Sequence, residues 1–151
     1  MTVLVKHIMS TPVVTFFAEQ TLPLAEDVMR LKHLRHLPVI DEHGILVGVV
    51  SHRDLLRAAG TGATHVAEVM TLDVWTIHCD TLASAAARTL LDHHYGCLPV
   101  VDGRGFLVGI VTERDFLELA LRTLRPHDPE GTWVPSKRLR HRTAPGDTLE
   151  S

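Results

Sequence analysis

Cysteine is scarce in this chain: Cys79 and Cys97 are the only two in 151 residues. Two thiols make no disulfide scaffold and fit a reduced, cytoplasmic compartment. An excess of one charge is lacking as well. Lysine and arginine total 15 against 18 aspartates and glutamates, a formal −3 with histidine neutral. No polyanion-binding field follows for the whole chain, so a nucleic-acid partner is not expected. No apolar run approaches the ~18–20 residues of a membrane span. The first residues, MTVLVKHIMS, have no basic n-region and no long apolar h-region, which argues against a signal peptide. Patterns of the C-x-x-C, H-E-x-x-H, G-x-G-x-x-G and Walker kinds are missing, which sets aside common zinc, Rossmann and P-loop chemistries. No carboxylate pair in separated environments stands out for acid–base work. The chain therefore reads as a non-enzyme.

What is present is ordinary for a globular protein: 45% apolar and 22% charged residues. A chain of this length hides roughly 68–70% of its unfolded surface. Its distinctive feature is a repeat. Leu46–Leu56 reads LVGVVSHRDLL, and Leu107–Leu117 reads LVGIVTERDFL. Upstream, Leu37-Pro38-Val39-Ile40-Asp41 returns as Leu98-Pro99-Val100-Val101-Asp102, Gly44 as Gly105, and Ile8-Met9 as Val69-Met70. The chain divides into a first repeat over 1–60, a linker over 61–68, a second repeat over 69–124 and a tail over 125–151. One copy is short for an independent core, whereas two can bury each other.

Both copies give the same order of signals. Val13-Val14-Thr15-Phe16 is a short β-branched run. Thr21 then caps a helix with Pro23 in its first turn, and Thr81 caps its counterpart. Leu24, Ala25, Val28, Met29 and Leu31 form one helical face; Leu82, Ala85, Ala86 and Leu90 form the other. Leu37–Ile40 and Leu98–Val101 are apolar throughout, as strands buried on both sides are. A turn at Asp41–Gly44 or Asp102–Gly105 leads into a second strand and a last helix. Gly60 ends that helix in the first copy. The expected fold is α+β, two β-α-β-β-α repeats packed with pseudo-two-fold symmetry. The tail is rich in proline, glycine and charge, with a basic cluster at Ser136–Arg142 and Trp133 as its one large aromatic. It reads as solvated chain.

L-P-V-x-D, a glycine, then L-V-G-x-V-[S/T]-x-x-D, twice in register, resembles the cystathionine β-synthase (CBS) domain in its tandem arrangement, the Bateman module. The resemblance covers about residues 8–121. Taken alone, Ser51-x-x-Asp54 and Thr112-x-x-Asp115 stand at capping-box spacing where a helix starts, and capping explains their types. The same geometry suits a nucleotide: free N–H groups for phosphate, a hydroxyl, and a carboxylate that accepts from a ribose diol. Val49 and Ile110 offer a dry wall for a base.

The resemblance implies clefts built crosswise. Thr112 and Asp115 would then share a cleft with Ser10, Val13, Val14, Arg35 and His36. Ser51 and Asp54 would share one with Thr71, Val74, Trp75, Tyr95, Gly96 and Cys97. Arg35 suits phosphate, whereas the second cleft has Tyr95 and Gly96 at the matching places and Asp73 where the first has Pro12. The first cleft is expected to bind a phosphorylated nucleotide better. Arg53 and Arg114 are further phosphate candidates, set against the usual solvated helix-surface arginine.

The family implies a regulatory module that binds an adenosine-containing small molecule of the AMP, ADP or ATP kind, forms a homodimer and signals to a separate, unidentified protein. The nucleotide is a regulatory ligand, and no cofactor is required. A CBS pair serving only structure or dimerisation is the alternative. His33-x-x-His36 and His93-His94-x-x-Cys97 have helical metal-ligand spacing, but they fall at helix C-termini, where histidine is favoured anyway. No metal site is expected. Cys97, just before a buried strand, reads as an apolar filler rather than a nucleophile.

Overall fold

The most apolar stretches become the two hairpins on which the fold is built. In a computed structural model describing residues 2–124, β1 (His36–Ile40) pairs antiparallel with β2 (Leu46–Ser51), and β4 (Cys97–Val101) pairs in the same way with β5 (Leu107–Thr112). The registers match: His36 faces Ser51 as Cys97 faces Thr112, and each ladder shifts at its last pair. Leu37, Pro38 and Val39 are fully buried, as are Leu98, Pro99 and Val100. Both turns close identically. The Asp41 carboxylate accepts from the N–H groups of His43 and Ile45, each at 2.9 Å; that of Asp102 accepts from Arg104 at 2.8 Å and Phe106 at 3.1 Å. Gly44 and Gly105 supply the positive φ these turns need, +84° and +87°.

Helices flank the hairpins: α1 (Val5–Ile8), α2 (Leu22–Lys32), α3 (His52–Ala58), α4 (Ala83–His93) and α5 (Glu113–Leu124). The compact unit spans Met1–Leu121. The expected α+β repeats are therefore present, with four differences from the sequence reading. First, Val13–Thr15 forms no strand. The chain touches β1 only at Phe16, whose N–H donates to the Pro38 carbonyl and whose carbonyl accepts from Ile40, both at 2.9 Å. The second repeat has a two-residue strand there, β3 (Ile77–His78), parallel to β4 and lengthened by a Cys79 N–H bond to the Val101 carbonyl at 3.1 Å. Second, Thr21 precedes α2 without a side-chain cap bond, and Leu82 rather than Thr81 holds the N-cap of α4. Third, Leu24, Leu31, Leu82 and Ala85 face outward, while Ala25, Met29, Ala86 and Leu90 are buried. Gly60, as expected, has positive φ just past α3, at +80°.

The fourth difference concerns the repeat boundaries. The cluster around β1 and β2 contains Phe16, Ala25, Met29, Leu37, Val39 and Val50, and also Val66 from the expected linker. The cluster around β4 and β5 contains Ala86, Leu90, Leu98, Val100 and Val111, and also Val5 from the start of the chain. The segment preceding each repeat thus packs into the other core. Backbone bonds fix both straps: Val66 N–H to the Gln20 carbonyl at 2.9 Å, and Val5 N–H to the Thr81 carbonyl at 2.8 Å. Residues 125–151, with Trp133 and the Ser136–Arg142 cluster, lie outside the described residues.

Candidate functional site

The straps also create the clefts. Ser10 and Ile110 exchange backbone hydrogen bonds at 2.9 and 3.3 Å, and Val49 and Thr71 exchange theirs at 3.0 and 2.8 Å. Each strap therefore lies on the other repeat's hairpin. Glycine in L-V-G makes that approach possible. A Cβ on Gly48 would stand 2.9 Å from the Thr71 carbonyl oxygen, and one on Gly109 would run into the Met9 thioether.

One cleft has a volume of about 880 Å³. Ser10, Val13, Val14, Arg35, His36, Ile110 and Thr112 line it, so both repeats contribute. So do Ser51, Tyr95 and Gly96, which sequence reasoning assigned to the other cleft alone. Arg35, Arg53 and Arg114 face it against one carboxylate, Glu113. His33, His52 and His94 line it too. Asp115 is not on its wall. That carboxylate is buried, 5% exposed, and accepts from the Ser10 hydroxyl and the Thr112 N–H, each at 2.8 Å. Arg114 leans back along α5 to Glu118 at 2.9 Å, the solvated-helix alternative weighed above.

The second cleft is smaller, about 150 Å³, and combines Ser51, Asp54, Thr71, Val74, Trp75, Tyr95, Gly96 and Cys97 with Val49, Asp73 and His36. Its capping box is complete: Asp54 N–H donates to the Ser51 hydroxyl at 3.1 Å, and Ser51 N–H to the Asp54 carboxylate at 2.8 Å. Capping therefore operates, but it leaves Asp54 on the cleft wall.

His36 lines both clefts and presses on Gly96, where an added Cβ would lie 2.5 Å from the imidazole. Burial pushes its pKa down, opposed by Asp54. The ladders also correct the pairing of cleft residues. With His36 opposite Ser51 and Cys97 opposite Thr112, Arg35 corresponds to Gly96, His36 to Cys97 and Leu34 to Tyr95. Left-handed backbone at His33 and His94, both with φ of 55°, fixes the same alignment.

Burial pushes the Cys97 thiol up to about 12, so at neutral pH it stays protonated and is a poor nucleophile. Neither histidine–cysteine set with helical spacing gathers three metal-ligand atoms. Among the described residues the group that does is His78, Cys79 and Asp80, and the Lys6 ammonium already sits 2.8 Å from Asp80. Sequence reasoning missed an aromatic cluster: the His93 ring centroid is 5.7 Å from that of Trp75 and 5.3 Å from that of Tyr95, and the Trp75 and Tyr95 centroids are 6.5 Å apart. Pairing of one helix-end imidazole with rings on two other segments leaves no local signal.

Two α+β repeats that trade their leading segments and enclose clefts between them define a tandem, pseudo-symmetric module. The chain belongs to the CBS domain family, whose sequence pattern matches residues 5–60 and 66–122. It is 34% identical over 116 residues to L-aspartate semialdehyde sulfurtransferase of Methanocaldococcus jannaschii, covering 77% of this chain and 23% of that enzyme. The chain thus spans about a quarter of such relatives, which include enzymes. A CBS domain pair solved with 5′-methylthioadenosine and S-adenosyl-L-methionine is similar at 32% identity and TM-score 0.76, covering 82% of this chain and 99% of that one. CBSX2 solved in complex with AMP is similar at 31% identity and TM-score 0.74, covering 81% and 98%. No helix among the described residues is long and apolar enough to cross a membrane.

Proposed function

We propose that this CBS pair is a non-catalytic regulatory module that binds an adenine nucleotide in the larger cleft between its repeats. The observation that carries this reading is the pair Arg35 and Arg53 facing one two-repeat cleft, with Arg114 beside them held by Glu118. Guanidinium groups suit phosphate, and the Ile110 and Val14 side chains beside them suit a base. A ribose diol takes the place of the Ser10 hydroxyl on Asp115. Similar CBS pairs solved with AMP and with S-adenosyl-L-methionine support an adenosine ligand. Because the ligand touches both repeats, its affinity differs between their relative orientations, and that difference is what shifts an equilibrium. A partner protein reads the shift. Leu31 on α2 and Leu117 and Leu121 on α5, each more than 60% exposed, are the surface proposed for a homodimer.

The test is a titration of AMP, ADP and ATP into the wild-type, Asp115→Ala and Asp54→Ala proteins, read by thermal shift and calorimetry. A ligand at ~100 times its Kd adds about 2.7 kcal/mol to stability. Asp115→Ala is expected to remove most of the response, and Asp54→Ala to leave it. Equal losses would overturn the assignment to the larger cleft. Silence from AMP, ADP and ATP would favour the second reading, a purely structural pair, for which the complete cap at Ser51 and the Asp115 carboxylate satisfied by the Thr112 N–H already speak.

A further inference from the structure

Histidine gathers around the larger cleft. His33 and His94 end α2 and α4 at equivalent positions of the two repeats, both with left-handed backbone at φ of 55°. Glycine or asparagine takes that conformation most readily. Here both positions carry histidine, and both residues line the one cleft. The helix dipole favours histidine at a C-terminus, but it does not account for His52, which opens α3 and lines the same cleft. The second repeat has Glu113 in that place. All three histidines are exposed, so each exchanges protons with solvent.

The charged and titratable groups around them come from four segments. The approach to β1 contributes Arg35 and His36, α3 contributes Arg53, the approach to β4 contributes Tyr95, and α5 contributes Glu113 and Arg114. Arg114 is paired with Glu118, and Asp115 is covered by Ser10. Neighbouring His93 is engaged with the rings of Trp75 and Tyr95. His36 is set apart: burial pushes its pKa down, against Asp54, so its imidazole favours the neutral form. Histidine is the side chain whose ordinary titration falls between about pH 5 and 8. A phosphate dianion entering among three imidazoles favours their charged form.

We propose that the larger cleft binds its phosphorylated ligand together with protons, taken up by His33, His52 and His94, so that the module reads pH and nucleotide jointly. This rests on the reading of that cleft as a nucleotide site. The sign follows from linkage: a site that gains protons on binding holds its ligand more tightly as pH falls. The ligand's own proton works the other way. A phosphate monoester has its second pKa at about 6, and pairing with arginine sheds that proton.

Calorimetry of AMP binding in two buffers of unequal ionisation heat counts the protons. The wild-type protein is expected to take up about half a proton between roughly pH 6.5 and 8.5, and so to bind AMP about tenfold more weakly at the upper pH. Adenosine, which lacks the phosphate, is expected to bind equally at both. In a His33→Asn/His94→Asn protein, asparagine keeps the left-handed backbone, and the pH effect is expected to shrink to about threefold. Adding His52→Gln should bring it below about twofold. Binding of AMP without proton uptake, uptake that adenosine shares, or uptake unchanged in the triple variant overturns the inference and leaves the nucleotide reading standing. Absence of any AMP binding overturns that reading, and this inference with it.

Discussion

Leu37, Pro38 and Val39 in β1 and Leu98, Pro99 and Val100 in β4 match in register and burial. The residues one or two places earlier do not match: Arg35 corresponds to Gly96, and His36 to Cys97. Further upstream Pro12 corresponds to Asp73 and Val14 to Trp75. The matched positions share one physical demand, a close-packed strand between helix and hairpin. The unmatched ones face clefts, where packing constrains little. One duplicated scaffold thus holds two unlike clefts. Arginines lie on the side where Asp115 is buried under Ser10, and carboxylates and rings lie where Asp54 is open.

The comparison of cores breaks most sharply with the largest side chains. Leu37→Ala and Leu98→Ala should each cost about 2–5 kcal/mol, the range for a fully buried leucine. Because the two sites are equivalent, the two losses should agree within roughly 1 kcal/mol in urea unfolding, inside the scatter of such deletions. A much cheaper loss at either position would show that its core collapses around the cavity, and the equivalence would fail.

The straps are the next place to look, and there the halves should part. An alanine Cβ at Gly48 meets the Thr71 backbone carbonyl at 2.9 Å, with the Met70 sulfur at 3.1 Å. A carbonyl tied into a bridge with Val49 cannot swing aside. Gly109→Ala meets Met9, whose unbranched side chain can adopt another rotamer. Gly48→Ala should therefore cost about 1–3 kcal/mol, as overpacking does, and Gly109→Ala about 1 kcal/mol or less. The reverse order in paired denaturant titrations would show that the two straps are seated differently.

Legibility in the sequence followed the same division. Both hairpins could be read because an unbroken apolar run, an Asp-to-Gly turn and a second apolar run each carry local chemistry. The clefts' crosswise membership came from family resemblance, since no periodicity tells which repeat a strap visits. Val5 and Val66 sit in segments of four and three helical residues, too short to show a face, so residues 61–68 read as linker. Val13–Thr15 has β-branched residues, but this segment meets β1 only at Phe16, and Val13 and Val14 line the larger cleft instead. Asp115 had the right spacing for a ribose, but its bond to Ser10 spans 105 residues, beyond any local pattern.

The smallest expected effect concerns the turns, where the repeats should be indistinguishable. Backbone N–H groups hold both carboxylates below the usual aspartate range, Ile45 foremost for Asp41 and Arg104 foremost for Asp102. A depressed folded pKa stabilises the folded state above the unfolded value of about 3.9, and that contribution disappears as pH falls through the folded pKa. Asparagine keeps an acceptor oxygen for the same N–H groups and removes the titration. Asp41→Asn and Asp102→Asn should each lower the urea midpoint slightly at neutral pH. Each should also flatten its decline below about pH 4, where the wild-type carboxylates take up protons. Equal flattening in the two variants would make the turns interchangeable. Flattening in Asp41→Asn alone would show that the Asp102 turn loosens in solution, and the match between repeats would then end at the strands.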